Sequence, residues 1–571
     1  MNGLDYLVLL GSLLGIAAYG TWRTRGARSM AAYFKGTQRT GWLTIGLSVM
    51  ATQASAVTFM STPGQGYESG LGFVQNYFGL PLALILVAAV FLPRYRRLNV
   101  YTAYEYLGQR FDPKTRLLGA ALFLLQRGLA AGLTIYAPAI VLSTVFSWRL
   151  DVTILLTGLV VITYTVAGGS EAVNVTHKYQ MAVIFAGMLT ALGVLWWRLP
   201  RGLSLGDTLA LAGGFHKLEA VDFSLDLQQR YTFWSGLLGG LFLSLSYFGT
   251  DQSQVQRYLH GGSLRESRLG LLVNAIVKIP MQFFILLLGV LVFVFYQFEQ
   301  PPVYFNETAW RYEMAHGAGP QLRTIQAEFT TAHAHKARVI EAWVAARHAG
   351  NAPAVQGARQ ALAAAQARCD TLRAEAKRVL HRTDPQVSAN DADYVFITFV
   401  FDHLPHGLVG LLVAVIFAAA LSSKASELNA LGSATTVDFY RHVFRPEATE
   451  AHYVAMSRCF TALWGVVALG AALFAHLVEN LIQAVNILGS IFYGVVLGLF
   501  LLAFFLRRVQ GTAAFWGTLT AQGLVFVLYF TLDISYLWYN FIGCAACVLF
   551  SLLFQAAAGS PHPAPSAPHP A

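Results

Sequence analysis

Long apolar runs follow one another along nearly the whole chain. They are continuous, without the alternation of apolar and polar positions that a half-buried strand shows. A helix needs about 20 apolar residues to cross a bilayer, and inside lipid its backbone must pair its own polar groups. The runs therefore predict membrane-spanning helices. Thirteen spans are expected, near residues 3–21, 42–60, 73–93, 117–144, 152–167, 179–198, 232–251, 269–297, 406–440, 453–476, 479–506, 512–531 and 536–555.

Composition agrees with a membrane protein. The 571 residues are 56% hydrophobic and only 12% charged, whereas soluble domains carry about 25% charged residues. A net charge of +10 could indicate a nucleic-acid partner in a soluble protein. Here the basic residues fall in short loops between spans, so no nucleic-acid partner is expected and the expected surroundings are a lipid bilayer.

The basic loops predict an orientation. Residues 22–41 hold five basic residues and no acid, and basic residues also dominate 94–116 and follow the seventh and eleventh spans. If the spans alternate, all these loops lie on one side, and the positive-inside rule makes that side the cytoplasm. We therefore expect a multi-pass protein of the cell (inner) membrane, with its N-terminus outside and its C-terminus cytoplasmic. The first span lacks a small-residue cleavage site and is expected to be retained.

Two segments lie outside the predicted spans. Residues 299–392 form an extracytoplasmic insertion, in which Ala-, Arg- and Gln-rich stretches at 321–348 and 355–382 predict a helical hairpin. The hairpin could dock a protein partner or be a solvated decoration, and its partner is unknown. Residues 559–571 form a Pro-rich tail of disordered type. The chain thus divides into spans one to eight (1–298), the insertion, spans nine to thirteen (393–558) and the tail.

The four cysteines give no sign of a cofactor. Cys544 and Cys547 form a CxxC inside an apolar run, where packing of small residues is the favoured reading over redox or metal chemistry. Cys369 stands alone in the insertion. No HExxH, P-loop or GxSxG sequence is present, so the chain is not expected to be an enzyme.

Small and hydroxylated residues interrupt two of the spans. They are the stretch 51–56 with Thr58 in the second span, and the stretch 419–429 in the ninth. Such residues allow a helix to unwind, and the freed carbonyls together with serine hydroxyls suit a hard monovalent cation, as in secondary transporters. Close packing between helices is the other reading. Composition alone does not separate the two.

Four stretches resemble the solute:sodium symporter family, which is sodium/glucose-cotransporter-like. The pattern AALSSxxSxLNxLxSxxTVDxY at 419–440 is similar to the family signature, and it is joined by ATQASAVTFMSTPGQGY at 51–67, YTAYEYLGQRF at 101–111 and GTDQSQVQRYL at 249–259. Their order and spacing also agree. The resemblance covers nearly all of the chain except 299–392 and the tail, and it is nearest in motif to the iodide, monocarboxylate and vitamin branch.

This resemblance implies an all-α polytopic fold of the leucine-transporter type. Two inverted repeats of five helices would occupy spans two to eleven, with spans two and seven broken. Sodium would be the coupling ion, and no other cofactor or metal is implied. The implied sodium ligands are the carbonyls of Ala51, Ala54 and Ala419 and the hydroxyls of Ser422 and Ser423.

Departures from the family pattern limit the expected stoichiometry. His177 stands where members often carry an acid, and the serine pair of a second sodium site reads Ala425-Ser426 here. We therefore predict one sodium per cycle. Lys424 is expected to pair with Glu427 one turn on, although a cytoplasmic or proton-carrying role stays open. His177, Lys424 and Asp251 are the candidate coupling residues.

Polar residues within the spans are candidates for holding the solute at the midplane. They are Gln53, Thr58, Asn76, Tyr77, Ser244, Tyr247, Lys278, Gln483 and Asn486. By the same resemblance, Tyr247 matches an inner aromatic gate. An ionisable residue inside a span is a functional-site hypothesis. Lys278 either faces the solute, which would favour an anion or a multiply hydroxylated ligand, or pairs with Asp251 or a carbonyl.

The leading interpretation is a sodium-coupled symporter that imports a small organic solute by alternating access, with an organic anion as one candidate. His177 and Lys424 keep open a proton-coupled or uncoupled carrier of the same fold. A transporter-like sensor is the third reading. The short tail, which holds no kinase-like sequence, argues against it.

Overall fold

Helices form the framework of the chain in a computed structural model. It describes residues 2–23, 41–98, 100–200, 202–259, 261–385, 387–388, 390–475 and 480–558; within helices, the side chains of 13–14, 16–23, 164, 167–180 and 422 are not described. The helices before the insertion are α1 (Gly3–Arg23), α2 (Trp42–Gln53), α3 (Ala56–Ser69), α4 (Gly72–Leu98), α5 (Ala103–Arg110), α6 (Pro113–Phe146), α7 (Leu150–Arg198), α8 (Leu205–Gly214), α9 (Ser235–Gly249), α10 (Gln252–Leu259) and α11 (Leu264–Phe298). Those of the insertion and beyond are α12 (Glu307–His316), α13 (Gly319–His348), α14 (Ala352–Thr383), α15 (Ala392–His403), α16 (Leu408–Phe444), α17 (Glu450–Ala472), α18 (Leu481–Phe505), α19 (Gly511–Thr531) and α20 (Leu537–Ala557).

The predicted spans coincide with apolar helices. Among the described residues, nine helices are long and apolar enough to cross a membrane, and the bent pair α2–α3 makes ten. Three shorter apolar helical segments, Gly3–Ser12, Leu150–Thr163 and Ser235–Gly249, match the remaining three predicted spans. The all-helical membrane fold class predicted from the sequence is confirmed.

One region differs from the predicted pattern. α7 is a single continuous helix of 49 residues, where the sequence predicts two spans, 152–167 and 179–198. At 1.5 Å per residue it is about 73 Å long, more than twice the hydrocarbon thickness of a bilayer. The polar stretch between the predicted spans contains Gly168 and Gly169 but no proline, and backbone hydrogen bonding can continue through such a stretch.

The helices sort into two packed groups. α2, α3, α4, α9, α10 and α11 pack on one another, and we call them the bundle. α6, α7, α16 and α17 pack on one another, and we call them the arms. α18 contacts both groups and packs with α20, while α1 packs along α16. Two groups that meet along a shared face can rock against each other, as secondary transporters require.

The insertion lies against one end of the bundle. α13 and α14 pack side by side, and Ile340, Trp343 and Leu362 are buried in the same apolar core as the spans. The tip of the hairpin reaches α8: the Arg347 Nε and His348 Nε2 atoms lie 3.0 and 2.8 Å from the carboxylate of Asp207. Such a hairpin is anchored at its tip as well as at its base.

The tip contact predicts a protease phenotype. We expect Asp207→Asn to accelerate tryptic cleavage at Arg347 by roughly fivefold, because the docked tip loses the stabilisation that one partly exposed ion pair provides. The hydrogen bond from Ser204 does most to lower the pKa of Asp207, burial opposes it, and His348 lowers it further. A carboxyl with a lowered pKa contributes stability above its ordinary pKa near 3.8 and loses it as the pH falls below that value. Docking should therefore hold from pH 7 to about 5 and weaken below about 4.

Asp370→Asn is the matched control for this test, because Asp370 lies exposed on α14 and accepts a hydrogen bond from Gln366 at 2.8 Å. Equal cleavage of the Asp207 and Asp370 variants would contradict an anchored tip.

Candidate sodium and solute site

The second span is broken where the small and hydroxylated residues were noted. α2 ends at Gln53, α3 begins at Ala56, and the two helices meet at a bend of 61°. Ala54 leaves the helical region with φ −85° and ψ 72°, and Ser55 is extended. A helix interrupted in this way leaves backbone carbonyls without their usual partners four residues on. Ala51 and Ala54 are both buried at this break.

The ninth span supplies the other half of the predicted sodium site. α16 packs against both α2 and α3, and Ala419 and Ser423 are buried in it. The Ser423 hydroxyl donates to the carbonyl of Ala420 at 3.2 Å and keeps its oxygen lone pairs. Ser422 follows on the same helix, but its side chain lies outside the described part of the structure. The elements carrying the predicted ligands are thus in contact.

A polar ladder runs along one face of α11. Asn274, Lys278 and Gln282 are spaced four residues apart, so they share one face of the helix, and all three are fully buried. Gln282 Nε2 donates to the Thr62 hydroxyl of α3 at 3.3 Å. Gln282 Oε1 and both amide atoms of Asn274 find no hydrogen-bond partner among the described residues. Buried polar groups are rarely left unpaired in native proteins.

Lys278 stands at the centre of this ladder. Its Nζ lies 5.3 Å from the centre of the Tyr77 ring on α4, which is a cation–π contact. Among the described residues, no carboxylate pairs with it. The alternative in which Asp251 neutralises Lys278 is wrong, because Asp251 is bound by Arg127. A buried ammonium facing only an aromatic ring and unsatisfied amides is suited to receive an anion.

The other candidate solute residues divide between four places. Gln53 and Thr58 flank the helix break, where Thr58 Oγ1 contacts the Gln53 carbonyl at 3.4 Å and Gln53 Oε1 has no partner among the described residues. Asn76 lies next to Tyr77 on α4 and accepts a hydrogen bond from Tyr536 at 3.2 Å. These residues belong to elements that contact α11.

Two of the remaining candidates lie on α18 and are already engaged. Gln483 donates to Gln65 at 2.6 Å and accepts from Arg230 at 2.7 Å. Asn486 donates to the carbonyl of Ile482 at 2.9 Å. The structure therefore places Gln483 in a polar cluster with Gln65 and Arg230.

Ser244 and Tyr247 lie on α9. Ser244 is buried. The Tyr247 hydroxyl accepts a hydrogen bond from Gln254 at 2.6 Å, and the Arg127 guanidinium lies 5.2 Å from the centre of its ring. Tyr247 thus stands beside a group of buried charges.

That group is a buried cluster of two cations and two anions, Arg127, Asp251, Lys424 and Glu427, which we call the charge cluster. Arg127 forms an ion pair with Asp251. Two of its nitrogens, Nε at 3.0 Å and Nη2, donate to the same carboxylate oxygen. Lys424 Nζ lies 2.5 Å from Glu427, which confirms the predicted pairing one turn apart. The Arg127 and Glu427 side chains approach to 3.7 Å. The four formal charges sum to zero, as burial requires.

Sequence reasoning overlooked Arg127. It stands inside an apolar run, in FLLQRGLAAG, and the rule that selected Lys278, an ionisable residue within a span, applies to it equally. Tyr493 was also missed; its hydroxyl bridges Arg127 at 2.6 Å and Asp251 at 3.1 Å. A tyrosine in a span is too common to signal this role. The side chain of His177, the third candidate coupling residue, lies outside those described.

Comparison with known proteins agrees with this geometry. The sequence model of the Sodium:solute symporter family matches residues 33–303 and 383–521, so the gap in the match coincides with the insertion. The human sodium/iodide cotransporter is 34% identical over 299 residues, which are 51% of this chain and 45% of that protein. The rabbit (Oryctolagus cuniculus) sodium-dependent multivitamin transporter is 27% identical over 91% of this chain and 69% of its own length.

A solved structure shares the fold. The outward-open, substrate-bound Na+-coupled sialic acid symporter superposes with a TM-score of 0.74 at 22% identity, covering 98% of this chain and 99% of that one. At that level of identity the likeness concerns the fold. It agrees with the two packed groups and the broken helix described above.

Proposed function

The chain belongs to the sodium:solute symporter family, and from that premise we propose that it imports a small organic anion together with sodium. It is a multi-pass membrane transporter and not an enzyme, and sodium is its coupling ion. The proposal concerns the class of solute, the residues that hold solute and ion, and the orientation in the membrane.

Lys278 is the observation that carries the choice of an anion. It is fully buried, it faces Tyr77, and no acid among the described residues neutralises it. The unsatisfied amide atoms of Asn274 and Gln282, one turn to either side, offer hydrogen bonds to a polar solute. Iodide and monocarboxylates, which similar proteins are named for, are anions. Gln53, Thr58, Asn76 and Tyr77 complete the proposed solute site.

We place the sodium at the break between α2 and α3. The proposed ligands are the carbonyls of Ala51, Ala54 and Ala419 and the hydroxyls of Ser422 and Ser423. A site of this kind binds the ion without a full negative charge, so that the ion can leave again. It is supported by the non-helical backbone at Ala54 and by the packing of α16 on both halves of the broken helix.

One sodium per cycle sets a limit on accumulation. A sodium ion entering down 100 mV gains about 2.3 kcal/mol, and a tenfold gradient adds about 1.4 kcal/mol. A monoanion entering with one sodium carries no net charge, so only the gradient term drives it. Accumulation of a monoanion should therefore be about tenfold for a tenfold sodium gradient.

The orientation proposed is N-terminus outside and C-terminus in the cytoplasm, with the insertion on the outer face of the inner membrane. The basic loops support it, with the segments Leu150–Thr163 and Met181–Arg198 of α7 counted as two spans. In this orientation the hairpin α13–α14 lies at the outer end of the bundle.

Thermal stabilisation of the purified protein by ligands tests the function directly. Sugars, amino acids, monocarboxylates, sialic acids and vitamins would each be added in sodium and in potassium. The proposal expects an anionic compound to raise the unfolding temperature in sodium only. Stabilisation by a neutral sugar alone would refute the anion, and equal effects in both salts would refute sodium coupling.

Ser423→Ala tests the sodium site. Removing the buried hydroxyl should weaken sodium binding by about tenfold, the scale of one lost hydrogen bond or ligand contact. The sodium concentration that gives half-maximal stabilisation should rise accordingly. Ser433→Ala on the same helix is the control, because its hydroxyl likewise donates to a backbone carbonyl, that of Asn429 at 2.6 Å, but lies about 15 Å along the helix from Ser423. If both variants respond to sodium as the wild type does, Ser423 is not a ligand.

A further inference from the structure

The charge cluster bridges the two packed groups of helices. Asp251 lies in the bundle, at the break between α9 and α10, while Arg127 lies on α6 and Glu427 on α16, both in the arms. All the side chains are buried. Rocking of the bundle against the arms must therefore stretch or break the ion pair between Arg127 and Asp251.

Breaking a buried ion pair leaves two uncompensated charges, which is costly unless new partners are at hand. Arg127 has such a partner on its own side of the interface. Its guanidinium lies 3.7 Å from Glu427, close enough for attraction and too far for a good hydrogen bond. While Arg127 is paired with Asp251, the Glu427 carboxylate is neutralised by Lys424, whose Nζ lies 2.5 Å away.

Asp251 also keeps hydrogen-bond donors when its ion pair with Arg127 opens. Its second carboxylate oxygen accepts the Ser253 hydroxyl at 2.6 Å and the Ser253 backbone N–H at 2.9 Å. Both donors belong to the bundle and would move with it. Tyr493 on α18 could stay with either partner, since its hydroxyl contacts both charges.

We infer that Arg127 is a positioning residue whose charge passes from Asp251 to Glu427 as the cytoplasmic side opens. The pair with Asp251 holds α9 and α10 against the arms and fixes Tyr247 under the guanidinium. The pair with Glu427 lowers the cost of the open state. This inference rests on the alternating-access symport proposed above.

The exchange makes opposite predictions for its two acceptors. Removing the pair with Asp251 favours the open cytoplasmic side, because only the closed state loses a contact. Removing Glu427 together with Lys424 favours the closed side, because Arg127 then loses its partner in the open state. A cluster that only stabilises the fold would not separate the two variants in this way.

Cysteine labelling from the cytoplasmic side measures the opening. The four native cysteines would be replaced and Thr250→Cys introduced at the buried break between α9 and α10. A membrane-impermeant maleimide would be added to inside-out vesicles in sodium-free buffer. Asp251→Asn, which leaves Arg127 free to pair with Glu427, should speed labelling by about tenfold or more, and Lys424→Gln with Glu427→Gln should slow it below the wild-type rate.

Two further variants keep the test decisive. Asp251→Asn with Lys424→Gln removes the pair with Asp251 and leaves Arg127 and Glu427 as a balanced pair, and it should also speed labelling if Asp251→Asn does not fold. Arg116→Gln with Asp438→Asn is the matched control, because that 2.7 Å pair joins α6 to α16 within the arms. The control should label at the wild-type rate.

Shifts in the same direction for the two acceptor variants would overturn the exchange, and so would a control that labels as fast as Asp251→Asn. The proposed sodium coupling has its own readout, since sodium should slow labelling of the wild type. A wild type indifferent to sodium would refute coupling, whereas the order of the variants in sodium-free buffer would still decide the role of Arg127.

Discussion

Lys278→Met is expected to abolish binding of the anionic solute and, at the same time, to stabilise the empty protein. The ammonium is buried against Tyr77 without an acidic partner among the described residues. Loss of the charge that meets an anion should weaken binding by about 30-fold or more. Removal of a buried and uncompensated charge should raise the free energy of unfolding by about 1–3 kcal/mol. Thermal unfolding with and without the solute measures both effects.

Lys424→Met is the matched control, because the same substitution there removes a paired lysine. Glu427 would lose its 2.5 Å partner, and the protein should become less stable by about 3–5 kcal/mol. Stabilisation by sodium should survive in the Lys278 variant, since the proposed sodium ligands lie on α2, α16 and the break. A Lys278 variant that loses stability would show that Lys278 has a structural partner, and one that still binds the anion would show that Lys278 does not hold the solute.

Local features of the sequence predicted local features of the structure well. The interruption of the second span was expected within 51–56 and lies at Ala54 and Ser55. The pairing of Lys424 with Glu427 was expected because the two residues are one turn apart. In both instances the deciding interactions lie within a few residues of chain, where helix periodicity and residue type suffice.

Partners distant in the chain could not be chosen from the sequence. Arg127 and Asp251 are separated by 124 residues, and nothing in either neighbourhood names the other. Lys278 was an equally acceptable partner for Asp251 on charge alone. The choice depends on which faces of α6, α9 and α11 meet, and that is settled by packing of the whole fold.

The apolar pattern also fails where hydropathy and hydrogen bonding disagree. A polar dip between 167 and 179 predicts a loop, because the spans are located by hydropathy. The backbone of α7 nevertheless stays helical across the dip. Helix formation there depends on local hydrogen bonds, which a short polar stretch without proline does not prevent.

Gly289→Ala is expected to cost the protein both sodium and solute binding. A Cβ at Gly289 would lie 1.9 Å from the Pro63 carbonyl oxygen of α3, and one at Gly66 would lie 2.3 Å from the Leu286 carbonyl of α11. On the other side of α3, a Cβ at Gly64 would lie 2.0 Å from the carbonyl oxygen of Ala392 on α15. α3 is therefore held between α11 and α15 by backbone contacts that only glycine permits.

The alanine methyl must push α3 away from α11, because a carbonyl oxygen cannot turn aside as a flexible side chain can. Overpacking of this kind costs about 1–3 kcal/mol or more. It also alters the 61° bend at Ala54. Gly193→Ala and Gly523→Ala are the controls, since a Cβ at either position meets nothing within 4 Å and helix propensity favours alanine. If Gly289→Ala unfolds at the control temperature and keeps its response to sodium, the angle between α2 and α3 is not what builds the ion site.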